Sequence, residues 1–354
     1  MPKRSYKHRK KLSSWKKLKV GKKIKHRLKI LGLALLVVFA TIIVSGAVAL
    51  YHFFTQPMVS ATGAADGSVV FPGGRFNLLL ITLEDANDPT SLIRELSIIT
   101  LDANQNDVFM IKLPLEVEVL VPQGFGQHQL STVYALGALV KPQANLDLTS
   151  QTVSRLLAVP IDGYLVTDAA GLGQIDQYLG HGLRMVKLLP NLLVELRRCL
   201  KTNLTFTSLL QVGKFILRAK SSEDVWNISA EELFDWQNLD WKLQKYFLDS
   251  KVVGERLKIQ ILNATAEPGL ATRVARYVKN IGGDVIMIGN FEQTDLKQSF
   301  MVTGAEESYT VKRLAEVLQI EEVGQPRLDE RGEVEAGERA DLTIILGLDS
   351  FRNL

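Results

Sequence analysis

The side chains best suited to nucleophilic or metal chemistry, cysteine and histidine, are scarce in this sequence. One cysteine is present, Cys199, so the chain can form neither an intrachain disulfide nor a zinc site built from several cysteines. Its surroundings, LLVELRRCL, have helical apolar spacing, which favours a small core residue over a reactive thiol. Of five histidines, only His128 and His181 lie beyond the N-terminal region, and neither belongs to an HExxH-type motif. The sequence therefore predicts no catalytic or metal site based on cysteine or histidine.

Positive charge is concentrated at the start of the chain. Residues 1–29 carry fourteen Lys or Arg and no acid, so the remainder is acidic although the 354-residue chain has a net charge of +4. An uncharged apolar run of 22 residues, from Ile30 to Tyr51, follows. As a helix this run would be about 33 Å long, enough to cross a hydrocarbon core of about 30 Å. We predict a basic cytoplasmic tail at 1–29, a transmembrane helix at 30–54 and extracytoplasmic C-terminal domains in the cell membrane, oriented by the positive charges.

Two alternatives apply to this N-terminal region. A cleaved signal peptide could end near Ala47-Val48-Ala49, but the apolar run and the charged run before it are longer than is typical of such peptides. A tail rich in Lys and Arg could also bind nucleic acid. Beside a membrane span, attraction to anionic lipid headgroups explains the same charges. We therefore expect the membrane, and no nucleic acid, as the partner of the tail.

The rest of the chain predicts two α/β domains separated by a connector. A linker rich in Ser, Ala and Gly at 55–74 precedes the first domain, at 75–220. A polar segment at 221–254, with three of the four tryptophans, is interpreted as a loosely packed connector. Continuous apolar runs in the first domain are typical of buried strands, and later amphipathic spacing indicates helices. The predicted strands are 76–82, 96–101, 108–113, 116–121 and 161–166, and the predicted helices are 149–157, 168–179 capped by Asp168, 188–200, and 206–217 capped by Thr205 or Thr207.

The C-terminal domain, at 255–350, has a βαββαβ pattern. Pro268 suits the first turn of its first helix, and Gly282-Gly283 suits the end of that helix. An acidic loop rich in Gly and Pro, from Glu321 to Asp341, is predicted to be mobile. The strands are predicted at 257–262, 284–288, 299–302 and 342–346, and the helices from Pro268 to Asn280 and from Tyr309 to Leu318.

Both domains resemble those of LytR-CpsA-Psr proteins of the bacterial cell envelope. The stretches ILNATAEPGLATRVARYVKNIGG and ADLTIILGLD are similar to the LytR C-terminal domain of that family. The first domain resembles a divergent LytR-CpsA-Psr catalytic domain in FNLLLITLED, IITLDANQNDVFMIKLP and LTSQTVSRLLAVPIDGYLVTDAAGLGQIDQYLG. The order of basic tail, span and extracytoplasmic domains is also that of the family. The resemblance implies a single-pass envelope protein with an α/β first domain.

The resemblance also implies an activity. Such proteins move glycopolymer from a polyprenyl pyrophosphate carrier to peptidoglycan with a divalent cation, a task that needs arginines for the pyrophosphate and carboxylates for the metal. The first aspartate of the family falls on Glu84 or Asp85 of this chain, and its R-S-D-T-like motif falls on 92–95. Arg94 and Glu95 are the usable groups of that motif. An apolar lipid pocket lined by 188–200 and 206–217 is a further implication, although an ordinary core stripe explains the same residues.

This sequence departs from the family at most of the phosphate-binding positions. The Ile-Pro-Arg-Asp-like motif reads Leu113-Pro114-Leu115-Glu116, with leucine at the arginine position and Glu116 as its only charged group. The later arginine- and glutamine-rich motif is missing. A buried pyrophosphate with few cationic partners would carry a large desolvation penalty. The loss of these groups with retention of the apolar skeleton favours a scaffold without transferase activity.

We therefore predict a non-catalytic relative that binds envelope glycan, such as peptidoglycan or a glycopolymer, or a partner protein in cell-wall assembly or its regulation. The alternative is a divergent Mg²⁺-dependent phosphotransferase acting on polyprenyl pyrophosphate lipid. No cofactor is expected, and Mg²⁺ only if that alternative holds. A membrane-tethered regulator acting through the basic tail is a third hypothesis, for which no folded cytoplasmic domain is predicted. The candidate site residues are Glu84, Asp85, Arg94, Glu95 and Glu116.

Overall fold

The structure, a computed structural model, describes residues 75–140, 144–170, 200–324 and 340–350. The tail, transmembrane helix and linker predicted at 1–74 lie outside these ranges, as do most of the helices predicted at 168–179 and 188–200 and most of the loop predicted at 321–341. Within the described ranges, no helix has both the length and the apolar character needed to cross a membrane.

The strands of the first α/β segment form one six-stranded sheet and a separate hairpin. They are β1 (Arg75–Leu83), β2 (Ile93–Asp102), β3 (Asp107–Lys112), β4 (Glu118–Val121), β5 (Gly126–Gln129), β6 (Gly163–Asp168), β7 (Lys201–Thr202) and β8 (Lys220–Asn227). The sheet has the order β7-β6-β1-β2-β3-β8, and β4 pairs with β5. Strand β1 pairs antiparallel with β2 and parallel with β6. Its sequence, RFNLLLITL, suits an interior strand because apolar side chains point to both faces.

Helices cover both faces of this sheet. They are α1 (Val133–Val140), α2 (Ala144–Leu157), α3 (Phe206–Arg218), α4 (Ala230–Phe234) and α5 (Trp236–Phe247), and a short helix, α6 (Ser250–Glu255), follows them. Successive side chains of a strand point to opposite faces, so Leu79 and Leu78 have different neighbours. Leu79 is buried in a cluster with residues of α1, α2 and α5, whereas Leu78 is buried with Val212 of α3. The predicted cap of α3 is confirmed, because the side chain of Thr205 accepts a hydrogen bond from the amide of Ser208 at 3.1 Å.

The prediction of a loosely packed connector at 221–254 is wrong. Strand β8 extends the first sheet in parallel pairing with β3. Three side chains of α5, Leu239, Leu243 and Phe247, are fully buried in the main core of the first segment. They are four residues apart and therefore share one helix face. The many polar residues between them hide this apolar stripe when the segment is judged by its average composition.

The second α/β segment contains every predicted element and one further strand. It consists of β9 (Lys258–Asn263), α7 (Leu270–Asn280), β10 (Asp284–Asn290), β11 (Phe300–Thr303), α8 (Tyr309–Leu318), β12 (Glu322–Gly324) and β13 (Leu342–Leu346). The sheet order is β10-β9-β13-β11-β12. Strand β12 has three residues, too few for an alternating pattern to be seen in the sequence. Helix α7 begins at Leu270 after Gly269, which adopts φ +78°, so its start lies two residues beyond the predicted one.

Polar contacts join the two segments. Arg276 of α7 donates two hydrogen bonds of 2.7 Å to the carboxylate of Asp240 on α5. Arg313 of α8 donates a 2.7 Å hydrogen bond to Asp162, just before β6. Asn280 donates to two carbonyl oxygens at the end of α2, at 3.3 and 3.2 Å. Each contact involves a buried or half-buried charge or amide, so the relative position of the two sheets depends on these bonds.

Acid sensitivity is expected from Glu255, the last residue of α6. Its carboxylate accepts hydrogen bonds from the hydroxyl of Ser308 and the amides of Tyr309 and Thr310, at 2.6, 2.9 and 2.8 Å. Burial opposes ionisation, but these bonds prevail and lower the pKa of Glu255 from 4.5 to about 2. Because the folded-state pKa is the lower one, the stabilisation is present above pH 4.5 and is lost as the pH falls towards 2.

We therefore expect Glu255→Gln to lower the melting temperature at pH 7 and to flatten its decline between pH 4.5 and 2. Glu118→Gln, which removes an exposed carboxylate of β4, is the matched control and should leave that decline unchanged. Melting curves followed by circular dichroism at several pH values measure both effects. A Glu255→Gln protein with the pH dependence of the unmodified chain would contradict this assignment.

Candidate functional site at the ends of β1 and β6

The parallel strands β1 and β6 end side by side, and the loop from Glu84 to Leu92 follows β1. The last pairs of their register are Thr82 with Thr167 and Leu83 with Asp168. In open α/β sheets, ligands bind outside the carboxyl ends of parallel strands. This edge of the first sheet is therefore the place to look for a site, and four of the five residues predicted from sequence lie on it.

The carboxylates of the loop are used to shape the loop itself. Asp85 accepts a hydrogen bond from the amide of Asn87 at 2.8 Å. Asp88 accepts from the amide and the hydroxyl of Thr90 at 2.8 and 2.7 Å, and these bonds lower the pKa of Asp88. Both are local turns in which a short acidic side chain satisfies a backbone amide two residues on. One oxygen of each carboxylate, Oδ1, is thus already engaged with the protein.

Two groups from other elements hold the loop against the sheet. Asp168, at the end of β6, accepts a hydrogen bond from the amide of Ala86 at 3.2 Å. Lys201, the first residue of β7, donates a hydrogen bond to the carbonyl oxygen of Ala86. Sequence analysis assigned Asp168 only to a helix cap and did not single out Lys201. Its position opposite Val166 of β6 depends on strand pairing that no local pattern reveals.

The predicted cations and carboxylates pair with one another. Arg94 lies 3.5 Å from Glu84, and their side chains are 62% and 49% exposed. Glu95 forms an ion pair with Lys112 across β2 and β3. Exposed pairs of this kind contribute roughly 0–1 kcal/mol. Glu116 is exposed before β4, and among the described residues no hydrogen bond or ion pair joins it to the other four candidates.

The position where the resemblance places an arginine is part of the protein interior. Leu115 is half-buried and packs against the main core of the first segment. The amide of Ser131 donates to its carbonyl oxygen at 3.1 Å, which fixes the backbone on both sides of the motif. A cation at this position would have to leave that apolar contact. Among the residues that the structure describes at this edge, Arg94 is the one arginine, whereas pyrophosphate recognition calls for several.

Beneath this edge lie polar groups that add no positive charge. Burial, and secondarily Asp88, raises the pKa of Tyr134. Burial also raises the pKa of Tyr164, followed by the nearby Asp147 and Tyr134. Burial raises the pKa of Asp147 itself. Both tyrosines are therefore neutral at neutral pH, and an anion at the edge would gain no cationic partner from below.

The carboxylates described at this edge make their contacts within the protein. No group of three or more His, Cys, Asp or Glu side chains that could hold a metal ion occurs among residues 75–140, 144–170, 200–324 and 340–350. Asp85 and Asp88 are turned to their own loop, and Glu84 is turned to Arg94. A Mg²⁺ ion needs several oxygen ligands in near-octahedral geometry. The arrangement can order a loop and hold a small polar surface, but no metal-dependent step can be derived from it.

Comparison with known families identifies the second segment. Residues 256–349 match the family described as LytR cell envelope-related transcriptional attenuator. This segment, which contains β9 to β13, is a LytR C-terminal domain, and the prediction of that domain is confirmed. No curated protein matches the chain.

Several solved structures are similar to about half of the chain. A transcriptional regulator, YvhJ of Bacillus subtilis, is 18% identical, with 49% of this chain and 97% of that chain covered and a TM-score of 0.37. TagT bound to LI-WTA is 15% identical, with coverages of 52% and 97% and a TM-score of 0.35. A LytR-CPS2A-psr family protein, YwtF (TagT) with bound octaprenyl pyrophosphate lipid, is 15% identical, with coverages of 51% and 98% and a TM-score of 0.33.

Proposed function

We propose that this chain is a membrane-anchored protein of the bacterial cell envelope that binds envelope glycan or a partner protein and does not itself transfer glycopolymer. The LytR C-terminal domain at 256–349 supports an envelope role. The fourteen positive charges of residues 1–29 and the apolar run that follows support an anchor with its N-terminus in the cytoplasm. The first segment then acts as an extracytoplasmic scaffold, for which the LytR-CpsA-Psr catalytic domain is the proposed origin.

The observation that carries the non-catalytic assignment is the charge balance at the ends of β1 and β6. Arg94 is the only arginine among the charged groups described there, and it already faces Glu84. Lys112 is paired with Glu95, and Lys201 is bound to a backbone carbonyl. A pyrophosphate placed on this edge would approach the carboxylates of the loop with few cations to compensate for its lost hydration. Binding of a polyprenyl pyrophosphate head by the described groups of this edge is therefore unfavourable.

A reconstituted transfer reaction tests this proposal. The full chain, embedded in lipid nanodiscs, is incubated with glycopolymer linked to a short polyprenyl pyrophosphate, purified peptidoglycan and Mg²⁺. We expect no polymer linked covalently to peptidoglycan, while the chain itself sediments with the peptidoglycan. Arg94→Gln should behave like the unmodified chain in both measurements, because Arg94 serves a surface ion pair in this proposal.

Transfer that requires Mg²⁺ and disappears in Arg94→Gln would overturn the proposal and establish the phosphotransferase alternative. A chain that neither transfers polymer nor sediments with peptidoglycan would remove glycan binding and leave a protein partner as the remaining form of the proposal. Empty nanodiscs and nanodiscs with heat-denatured chain separate specific sedimentation from trapping.

A further inference from the structure

A groove of about 370 Å³ opens between the two α/β segments, away from the ends of β1 and β6. The end of α2, the junction of α4 and α5, and one face of α7 form its walls. The groove is lined both by arginines and by exposed large apolar side chains, a combination that the packing of the protein does not require. The arginines are Arg155, Arg273 and Arg276, and the exposed apolar side chains are Leu120, Phe234 and Trp236.

The three arginines differ in how far the protein satisfies them. Arg276 is engaged by its two 2.7 Å bonds to Asp240 and by a 3.2 Å bond to the carbonyl oxygen of Leu156. Arg273 has a longer contact, 3.4 Å, with the half-exposed Glu267. For Arg155, no hydrogen bond or ion pair is found among the residues that the structure describes, although the side chain is half-buried. The groove thus has three guanidinium groups and two nearby carboxylates.

The charge of Arg155 is held in an unfavourable place. Burial lowers the pKa of Arg155, the neighbouring Arg273 lowers it further, and only Glu267 acts in the opposite direction. The ordinary pKa of a guanidinium is so high that Arg155 stays charged at neutral pH. A half-buried cation beside a second cation costs stability unless an anion joins them. Two guanidinium groups facing one space can each offer forked donors to a phosphate or carboxylate.

The aromatic wall supplies the other half of a binding site. Phe234 is 60% exposed at the end of α4, and Trp236 is 56% exposed at the start of α5. Leu120 of β4, 57% exposed, lies beside them. Large apolar side chains grouped and exposed in this way mark interaction surfaces. The electron-rich face of an aromatic ring attracts C–H bonds that carry partial positive charge, as those on the flat face of a sugar ring do.

We propose that this groove binds an anionic saccharide, with its phosphate or carboxylate between Arg155 and Arg273 and a sugar ring against Trp236. The inference rests on the proposed envelope function for the source of such a ligand and adds where on the chain it binds. A purely apolar ligand would leave the cations uncompensated, and a simple inorganic anion would leave the aromatic wall exposed. The combination selects a molecule with both parts.

Titration of the full chain in detergent micelles with glucose 1-phosphate and, separately, glucuronic acid tests the proposal. Tryptophan fluorescence and isothermal calorimetry are the readouts. We expect saturable binding of at least one of these acidic sugars, weakened as ionic strength rises. The relative affinities for glucose 1-phosphate and glucuronic acid identify whether phosphate or carboxylate is the preferred anion. Glucose and inorganic phosphate, the two halves of the first probe, should each bind at least tenfold more weakly.

Single substitutions separate the groove from the rest of the chain. Arg155→Gln, Arg273→Gln and Trp236→Ala should each weaken acidic-sugar binding at least tenfold. Lys279→Gln on α7 and Trp241→Ala on α5 remove the same kinds of group outside the groove and should leave binding unchanged. Arg155→Gln should also raise the melting temperature of the unliganded chain by about 2 °C, because it removes an uncompensated charge.

The outcomes that overturn the proposal are distinct. The proposed site is wrong if neither acidic sugar binds. It is also wrong if binding survives the double substitution of Arg155 and Arg273 by Gln. If inorganic phosphate binds as tightly as glucose 1-phosphate, the groove does not recognise a sugar ring and the saccharide part of the proposal is wrong. A lower melting temperature for Arg155→Gln would show a structural role instead. None of these results bears on polymer transfer at the ends of β1 and β6, so loss of this inference leaves the non-catalytic proposal to its own test.

Discussion

Replacement of Arg313 by methionine is expected to lower the free energy of unfolding of the chain by about 3–5 kcal/mol. The side chains of Arg313 and Asp162 are only 6% and 12% exposed, and they are 2.7 Å apart. Burial alone lowers the pKa of Arg313, but Asp162 outweighs that effect and raises it. Methionine fills much of the same volume and removes the charge. Asp162 would then remain as a buried carboxylate with the amide of Asn77, 2.8 Å away, as its remaining partner.

Urea unfolding of the full chain in micelles, followed by circular dichroism, measures this change. Lys312→Met on the same helix is the control, because the pair of Lys312 and Glu307 is exposed to solvent and its loss should change the stability little. Asp162→Asn should restore part of the loss when combined with Arg313→Met, since it removes the stranded charge. Equal effects of the Arg313 and Lys312 substitutions would show that burial of the pair has no energetic consequence.

A second large effect is expected at Asp240, where alanine should cost about 3 kcal/mol. The carboxylate of Asp240 accepts both 2.7 Å bonds from Arg276 and a longer bond of 3.3 Å from Asn280. The bidentate geometry makes this the stronger class of ion pair. Its removal leaves Arg276, 22% exposed, with only a carbonyl partner at the end of α2.

A double-mutant cycle with Asp240→Ala and Arg276→Ala isolates the contribution of the pair itself. We expect a coupling free energy of about 1–3 kcal/mol from denaturant unfolding. Lys242 lies on α5, as Asp240 does, and pairs with Glu232 of α4 in a more exposed position. Lys242→Ala should therefore cost less than about 1 kcal/mol. A coupling near zero between Asp240 and Arg276 would mean that this ion pair does not help to hold the two segments together.

The interior strands could be predicted because their sequences are continuous apolar runs with no competing pattern. FNLLLIT and LTIIL become β1 and β13, each in the interior of a sheet. The prediction for 221–254 was wrong because this segment has no continuous apolar run. Strand β8 lies at the edge of its sheet and reads KSSEDVWN, so its composition indicates solvent exposure although its backbone pairs with β3. Edge strands need fewer apolar side chains and give a weaker pattern.

The candidate site shows a sharper limit. Glu84 and Arg94 were singled out through the family resemblance, and they lie together because β1 and β2 are antiparallel neighbours. Lys201 is 115 residues from Ala86, whose carbonyl it binds, and Arg313 is 151 residues from Asp162. No periodicity connects positions so far apart. The saccharide groove is more hidden still, because Arg155, Trp236 and Arg273 come from three helices that are brought together only by the packing of one sheet segment on the other.

The strand at the middle of the second sheet is the last strand of that segment to be synthesised. Strand β13 pairs with both β9 and β11, so the two halves of the sheet cannot join before Leu346 has left the ribosome. Polypeptides are made at about 5–20 residues per second, and β9 therefore waits several seconds for its neighbour. During that interval the edges of β9 and β11 that later pair with β13 face solvent or a chaperone. Ile261 and Met301, on these strands, are buried in the finished sheet. In the proposed function this domain lies outside the cell membrane, and the delay would then favour its crossing in an unfolded state.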